Sequence, residues 1–290
     1  MAVKLHSAEI VGLDGEIIDV EIDLARGLFR FSVVGLADKA VDEARERVSS
    51  AIKNSGLTPP QAKHRRVIVS RAPADLKKEG PLFDLAIALS YLLASKQLFF
   101  DPSDKIFLGE LALDGHLRKI KGALALSMAA ASRGFKEIIL PEENAREASL
   151  VSNIKIFGAK SLGDVARHLS GEAAIPEYPS TVPEKAPLYP VDFGDIRGQE
   201  TAKRGLEIAA AGGHHALMVG PPGTGKTMLA RALPSILPPL DFEEILEVTK
   251  IHSIAGTLKK DLECVRPFRS PHHTSSYVAL VGGGQYPRPG

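Results

Sequence analysis

The octapeptide Gly220-Pro221-Pro222-Gly223-Thr224-Gly225-Lys226-Thr227 fits the pattern G-x-x-x-x-G-K-[ST] at every required position. No other stretch limits the fold as tightly, because this loop works only where a strand enters it and a helix leaves it. Residues 215–219, His-Ala-Leu-Met-Val, read as a buried strand before the loop, and residues 228–233 as a helix after it. Three glycines let the backbone curl so that successive N–H groups face inward toward phosphates. Lys226 is then placed to reach the β- and γ-phosphates, and the Thr227 hydroxyl to ligate Mg2+. The pattern therefore implies a nucleoside triphosphate held by residues 220–227.

The chain has 290 residues, 44% apolar and 24% charged, enough for two globular domains. Lys and Arg number 36 against 35 Asp and Glu, so any nucleic-acid surface must be a local patch. The single cysteine, Cys264, excludes an internal disulfide, and the N-terminus carries no long apolar signal region. A cytoplasmic protein without a membrane partner is expected. The longest apolar run, residues 85–94, is too short to span a bilayer.

Pro176, Pro179, Pro183, Pro187 and Pro190 mark residues 171–190 as a stiff, extended linker. It separates an α+β domain at 1–170 from the start of an α/β P-loop domain at 191–290. In the first domain, residues 17–24 and 28–34 read as a hairpin turning at Arg26-Gly27, and residues 37–55 as a helix ended by Gly56. Residues 65–69, 105–113 and 137–140 read as strands, and 83–94 and 122–132 as helices.

Glu79-Gly80-Pro81-Leu82-Phe83-Asp84, residues 109–115 (GELALDG) and residues 138–145 (IILPEENA) resemble the proteolytic domain of the Lon family, which has the ribosomal S5 domain 2-like fold. In that family a serine follows the Gly-Pro pair and a lysine in a later helix activates it. Here Leu82 and Leu124 stand at those positions, so serine-lysine peptidase chemistry is not available and no catalytic residue is assigned. Lys119 and Lys121 read as solvated lysines. Together with residues 34–38 (VGLAD), 43–48 (EARERV), 72–81 (APADLKKEGP), 195–199 (DIRGQ) and 266–274 (RPFRSPHHT), these segments make the chain similar to the competence-M or magnesium-chelatase-like AAA+ ATPases of bacteria.

That resemblance implies ATP and Mg2+ as cofactors, a homo-hexameric ring, and in some members a DNA helicase that drives branch migration during natural transformation. It also implies that residues 195–199 pack near adenine, with Ile196 as the candidate base contact; a helix-entry turn with Ile196 as a core residue fits those letters equally. From Cys264 onward the chain has no acidic residue, and Arg266, Arg269, His272 and His273 are candidates for DNA contact, alternatively for packing on a neighbouring subunit. Tyr277 adds a ring for base stacking. Adjacent histidines point in different directions, so His214-His215 and His272-His273 make poor metal-chelating pairs.

No run of four apolar residues ending in Asp-Glu follows Thr227. The family places that motif after a Tyr-Pro-x-Pro-Gly segment, which here is residues 286–290, so the chain is expected to be the N-terminal part of a longer motor that binds ATP without efficient hydrolysis. Three other functions compete with a DNA-remodelling motor. They are a magnesium-chelatase-type ATPase subunit, a nucleotide-gated interaction module without turnover, and an ATP-dependent protease, against which Leu82 and Leu124 argue.

Overall fold

The computed structural model of the protein describes residues 3–34, 38–62, 65–73, 81–180, 189–258 and 262–283. Two compact units result, Met1–Val182 with Ser253–Thr257, and Pro183–His252 with Leu258–Gly290. The motif residues 35–37, 74–80 and 284–290 lie outside the described residues.

The first unit runs β1 (Val3–Val11), β2 (Asp14–Arg26), β3 (Arg30–Val33), α1 (Asp38–Asn54), β4 (Arg65–Ala72), α2 (Asp84–Ala94), β5 (Lys105–Phe107), β6 (Glu110–Leu111), β7 (Leu117–Arg118), α3 (Ala123–Ser132), β8 (Glu137–Pro141), α4 (Glu142–Ala148), β9 (Lys155–Ala159) and α5 (Leu162–Ser170). Seven strands form one mixed sheet in the order β3-β4-β2-β1-β5-β8-β9, and β6 and β7 pair separately. The hairpin is not the one read from the sequence. β1 and β2 make it, with Val11 opposite Asp14 across a two-residue turn. β2 has β1 on one side and an eight-rung antiparallel ladder with β4 on the other, from Asp19↔Ala72 to Arg26↔Arg65. Both edges of β2 are thus taken, and β3 pairs instead with the outer edge of β4, in parallel.

Both faces of the sheet are covered. Leu5, Ile18, Val20, Ile22, Val67 and Val69 alternate onto one face and meet α1, α2 and α5. Ala8, Ile106, Leu108, Ile138 and Leu140 meet α3 and α4 on the other. α2 is apolar on all sides and is buried from Asp84 through Leu92, as such a helix must be. α3 lies so close to β2 that a Cβ on Gly15 would stand 2.8 Å from that of Ala129.

The first part of the proline-rich stretch belongs to this unit. The Ile175 amide donates to His168 Nδ1 at 3.0 Å, and the Tyr178 amide to the Ile156 carbonyl at 2.8 Å. Their side chains pack on the two cores, so residues 173–178 form a strap along β9, whose outer side would otherwise be an open strand edge. Burial holds the His168 imidazole below its ordinary pKa, which keeps Nδ1 able to accept.

The second unit contains a turn at Phe193–Asp195, α6 (Glu200–Gly212), α7 (Lys226–Ala232), a turn at Leu233–Ile236, α8 (Phe242–Ala255) as far as His252, and α9 (Tyr277–Val281). Phe193, Ile196, Leu206, Leu229 and Ala232 form its core. The strand expected before the phosphate loop is not formed: Leu217 is 90% and Val219 87% exposed, and only Met218 of that run packs on the core. A strand exists through its lateral ladder, and among the described residues this unit offers no neighbouring strand.

Candidate nucleotide-binding site

The loop at 220–225 is shaped by two glycines in the left-handed region, Gly223 (φ +82) and Gly225 (φ +85), with Thr224 between them at negative φ. Alternating handedness of this kind turns successive N–H groups toward one point and makes an anion-binding concavity. A Cβ at either glycine would meet nothing within 4 Å, so the loop is open and its glycines are required by backbone conformation, not by space. Lys226 begins α7 and folds back into the loop, where Nζ donates to the carbonyls of Gly220 (2.8 Å) and Pro221 (2.6 Å) and to Thr224 Oγ1 (3.2 Å). The Thr224 hydroxyl donates to the Pro221 carbonyl at 3.0 Å. A cation held on neutral carbonyls can exchange them for phosphate oxygens. The residues present therefore fit a triphosphate. Thr227 is exposed in the first turn of α7, and no group of three or more His, Cys, Asp or Glu able to hold a metal occurs among the described residues.

The segment before α6 buttresses this loop. Asp192 and Asp195 cap the 193–195 turn reciprocally, and the Phe193 amide donates to Ser235 Oγ just beyond α7. Gln199, at φ +60, donates from Nε2 to the Thr224 carbonyl at 3.3 Å. Ile196 is 7% exposed within the core. Of its two sequence readings, the core contact is the one the packing displays. Asp195 and Gln199 were read from the sequence only as part of the 195–199 segment, and Asp192 and Ser235 were not singled out. The D-x-x-D spacing is a capping signature that was available there, whereas the Gln199 and Ser235 contacts depend on tertiary proximity.

The residues proposed from sequence to meet DNA divide. Arg266 donates to the Pro238 carbonyl at 2.7 Å and pairs with Glu244 at 3.1 Å, so its charge is already neutralised. Arg269, His272 and His273 are exposed; the two imidazoles stack at 4.2 Å, and Arg269 approaches His252 at 3.4 Å. Tyr277 is exposed at the start of α9.

In the first unit, Leu82 packs on the second core and its carbonyl accepts from the Gly109 amide. Leu124 is fully buried, its amide donating to Glu147 Oε1 at 2.9 Å. Lys119 and Lys121 are exposed. Asn144, fully buried, clamps Ile120 by accepting from its amide and donating to its carbonyl, each at 2.9 Å. The 138–145 motif thus holds the turn that leads into α3.

The family described as "Subunit ChlI of Mg-chelatase" matches residues 20–144, and "Magnesium chelatase, subunit ChlI" matches residues 192–290. Over 99% of its length the chain is 46% identical to the uncharacterized protein YifB of Salmonella typhimurium and 41% identical to the competence protein ComM of Haemophilus influenzae. It covers 56% and 57% of those proteins, so the chain spans little more than half the length of these relatives. A Lon protease of Rhizobium meliloti is 26% identical over 65% of the chain and 24% of its own length. Fold and loop define a magnesium-chelatase-like ATPase class. Within it, the chain belongs to the Mg-chelatase ChlI/ComM family. Among the described residues, no helix is long and apolar enough to cross a membrane.

Proposed function

We propose that this chain is the nucleotide-holding part of a cytoplasmic, ring-forming motor that couples ATP turnover to DNA remodelling. The observation that carries the reading is Lys226 lodged inside the 220–225 loop, ready to exchange two carbonyls for phosphate oxygens. Residues 220–227 would cradle the triphosphate, and Thr227 would give Mg2+ one protein oxygen, the remaining ligands coming from phosphates and water. Residues 1–170 act as a Lon-like domain without the serine-lysine dyad, a reading supported by the Lon likeness and by the apolar packing of Leu82 and Leu124. Arg269, His272 and His273 are the DNA-facing candidates of the second unit. The DNA assignment draws on the name of the competence protein, and assembly as a hexamer on the AAA+ class.

Calorimetric titration of the chain with Mg-ATP tests the nucleotide site. Lys226→Ala removes the cation nearest the γ-phosphate while leaving the loop backbone, and is expected to weaken binding at least about tenfold. Equal affinity for the two proteins would overturn the assignment. A second reading, a magnesium-chelatase-type ATPase subunit, is favoured by the description of the matched family. Porphyrin metallation with partner subunits, stimulated by this chain, would select it over DNA remodelling.

A further inference from the structure

Gln199 stands in a conformation that its residue type does not favour. Among the described residues, only Lys96 and Gln199 are non-glycine residues at positive φ, and Gln199 lies at φ +60, ψ +36. A left-handed backbone is costly for a residue with a Cβ and persists only where the surroundings hold it. The place immediately before a helix is also one that Ser, Thr, Asp and Asn fill best, because their short side chains accept from the first helical amides. The Gln199 side chain makes no such cap to α6. Its backbone carbonyl accepts from the Lys203 amide at 2.9 Å, while the side chain crosses to the phosphate loop and donates from Nε2 to the Thr224 carbonyl at 3.3 Å. The segment leading to it is braced by the reciprocal Asp192–Asp195 cap and by the Phe193 amide on Ser235 Oγ.

We propose that Gln199 is a positioning residue for the triphosphate: by holding the Thr224 carbonyl it fixes the plane of the Thr224–Gly225 peptide and keeps the Gly225 N–H turned toward the phosphates. The inference rests on the nucleotide reading above and names a residue that tunes that site. The 224–225 peptide is trans, so its C=O and N–H point in opposite directions, and pinning one aims the other. Gly223 at φ +82, Thr224 at negative φ and Gly225 at φ +85 alternate in hand, a pattern that turns N–H groups inward and leaves carbonyls outward. The outward Thr224 carbonyl is the one that Gln199 meets. Lys226 Nζ and the Thr224 hydroxyl bind the carbonyls of Gly220 and Pro221, and neither holds that of Thr224. Left unheld, the peptide turns over at low cost, because Gly225 accepts either hand of φ. Turned over, it presents a carbonyl to the phosphates in place of a donor.

Thr-Gly occurs once in the sequence, at 224–225, so the 290-residue chain labelled with carbonyl-13C threonine and 15N glycine gives one NMR signal from the peptide in question. Two variants remove the donor. Gln199→Met keeps the length of the side chain, and Gln199→Gly also suits the left-handed backbone. In both, the Thr224 carbonyl signal of the nucleotide-free chain is expected to move. Mg-ATP, titrated by calorimetry, should bind about three- to tenfold more weakly, the scale of one hydrogen bond. The Gly225 amide signal should shift on addition of Mg-ATP in the parent and shift less in the variants. Gln199→Gly separates positioning from stability, since it should melt no lower than the parent and lose affinity all the same. If the parent binds Mg-ATP and both variants bind it equally well, Gln199 does not position the loop, although the nucleotide site stands. If Gln199→Met loses affinity and Gln199→Gly binds like the parent, the effect belongs to the backbone at 199 and the proposal fails. If the parent does not bind, the nucleotide reading fails and this inference with it.

Discussion

The two units handle exposed chemistry in opposite ways. In the first, apolar residues fill both faces of a seven-stranded sheet and buried polar groups close on one another: Asn144 on Ile120, Glu147 on Leu124, Ser7 on the Phe107 carbonyl, Arg47 on Asp84. In the second, a small core supports a loop whose polar groups are left accessible, while Leu217, Val219 and the apolar residues of α9 face solvent. The comparison teaches where each kind of substitution will be felt. Stability is concentrated in the first unit, where removed atoms leave cavities or orphaned donors, and binding chemistry in the second, where side chains answer to ligands more than to neighbours.

The largest effect is expected from Leu85→Ala. Leu85 is completely buried in the first core, and truncation removes its transfer energy and leaves a cavity. A loss of about 3 to 4 kcal/mol is expected in urea unfolding of the transition reporting the first unit. A loss below about 1 kcal/mol would mean that this core is not the tightly packed region described here.

Next comes Asn144→Ala. One side chain satisfies both the amide and the carbonyl of Ile120 at a site shut off from water, so its removal leaves two buried backbone groups without their partner. About 2 to 3 kcal/mol should be lost. Amide hydrogen exchange at Ile120 should accelerate in the variant, a local signature that a merely global loss would not give. Wild-type exchange there would show that another group takes over the clamp.

How much of this was legible in the sequence follows the same division between local and distant causes. α1, α2 and α3 were readable because apolar spacing is a local signal, with Gly56 and Gly134 closing α1 and α3, and the phosphate loop because its chemistry is written in eight consecutive residues. β1 was passed over since its core-facing positions include Ser7, which belongs inside only through its bond to the Phe107 carbonyl a hundred residues on. β3 was paired with the wrong strand because Arg26-Gly27 looks like a hairpin turn, and nothing nearby reveals that β4 will occupy the edge of β2. Residues 215–219 have the letters of a strand, but letters supply no ladder. Ile196 could be read two ways for want of the packing around it. Arg266 looked available until Glu244 was placed beside it, and Asn144 gave no sign of a clamp whose partner lies 24 positions away.

A smaller, pH-dependent effect is expected at Asp84. Burial pushes its carboxyl up to about 6, and the hydrogen bonds from Arg47 Nε and Nη2 and the Leu111 amide offset only part of that push. The folded pKa lies above the ordinary 3.8, so the folded state holds the proton more tightly than the unfolded chain. This group's contribution is therefore gained as pH falls below about 6 and lost as pH rises through it. Between pH 7 and 5 it amounts to about 1 kcal/mol. Asp84→Asn cannot take up that proton, so the difference in stability between parent and variant should change by this amount over the same interval. A difference that is flat with pH would place the carboxyl in its normal range and make Arg47 the stronger influence.

The smallest effect sharpens the comparison most. Leu217→Ala removes the same atoms as Leu85→Ala, but from a side chain that is 90% exposed in a segment without a ladder. No cavity forms and little apolar area returns to water, so the change should stay within about 0.5 kcal/mol. The two leucines differ in surroundings alone, and their ratio measures how unevenly packing is distributed between the units. A loss at Leu217 approaching that at Leu85 would mean that residues 214–219 are covered in solution, for instance by self-association of the chain. Repeating the measurement across a range of protein concentrations separates the cases, since a buried association surface makes stability rise with concentration and a solvated segment does not.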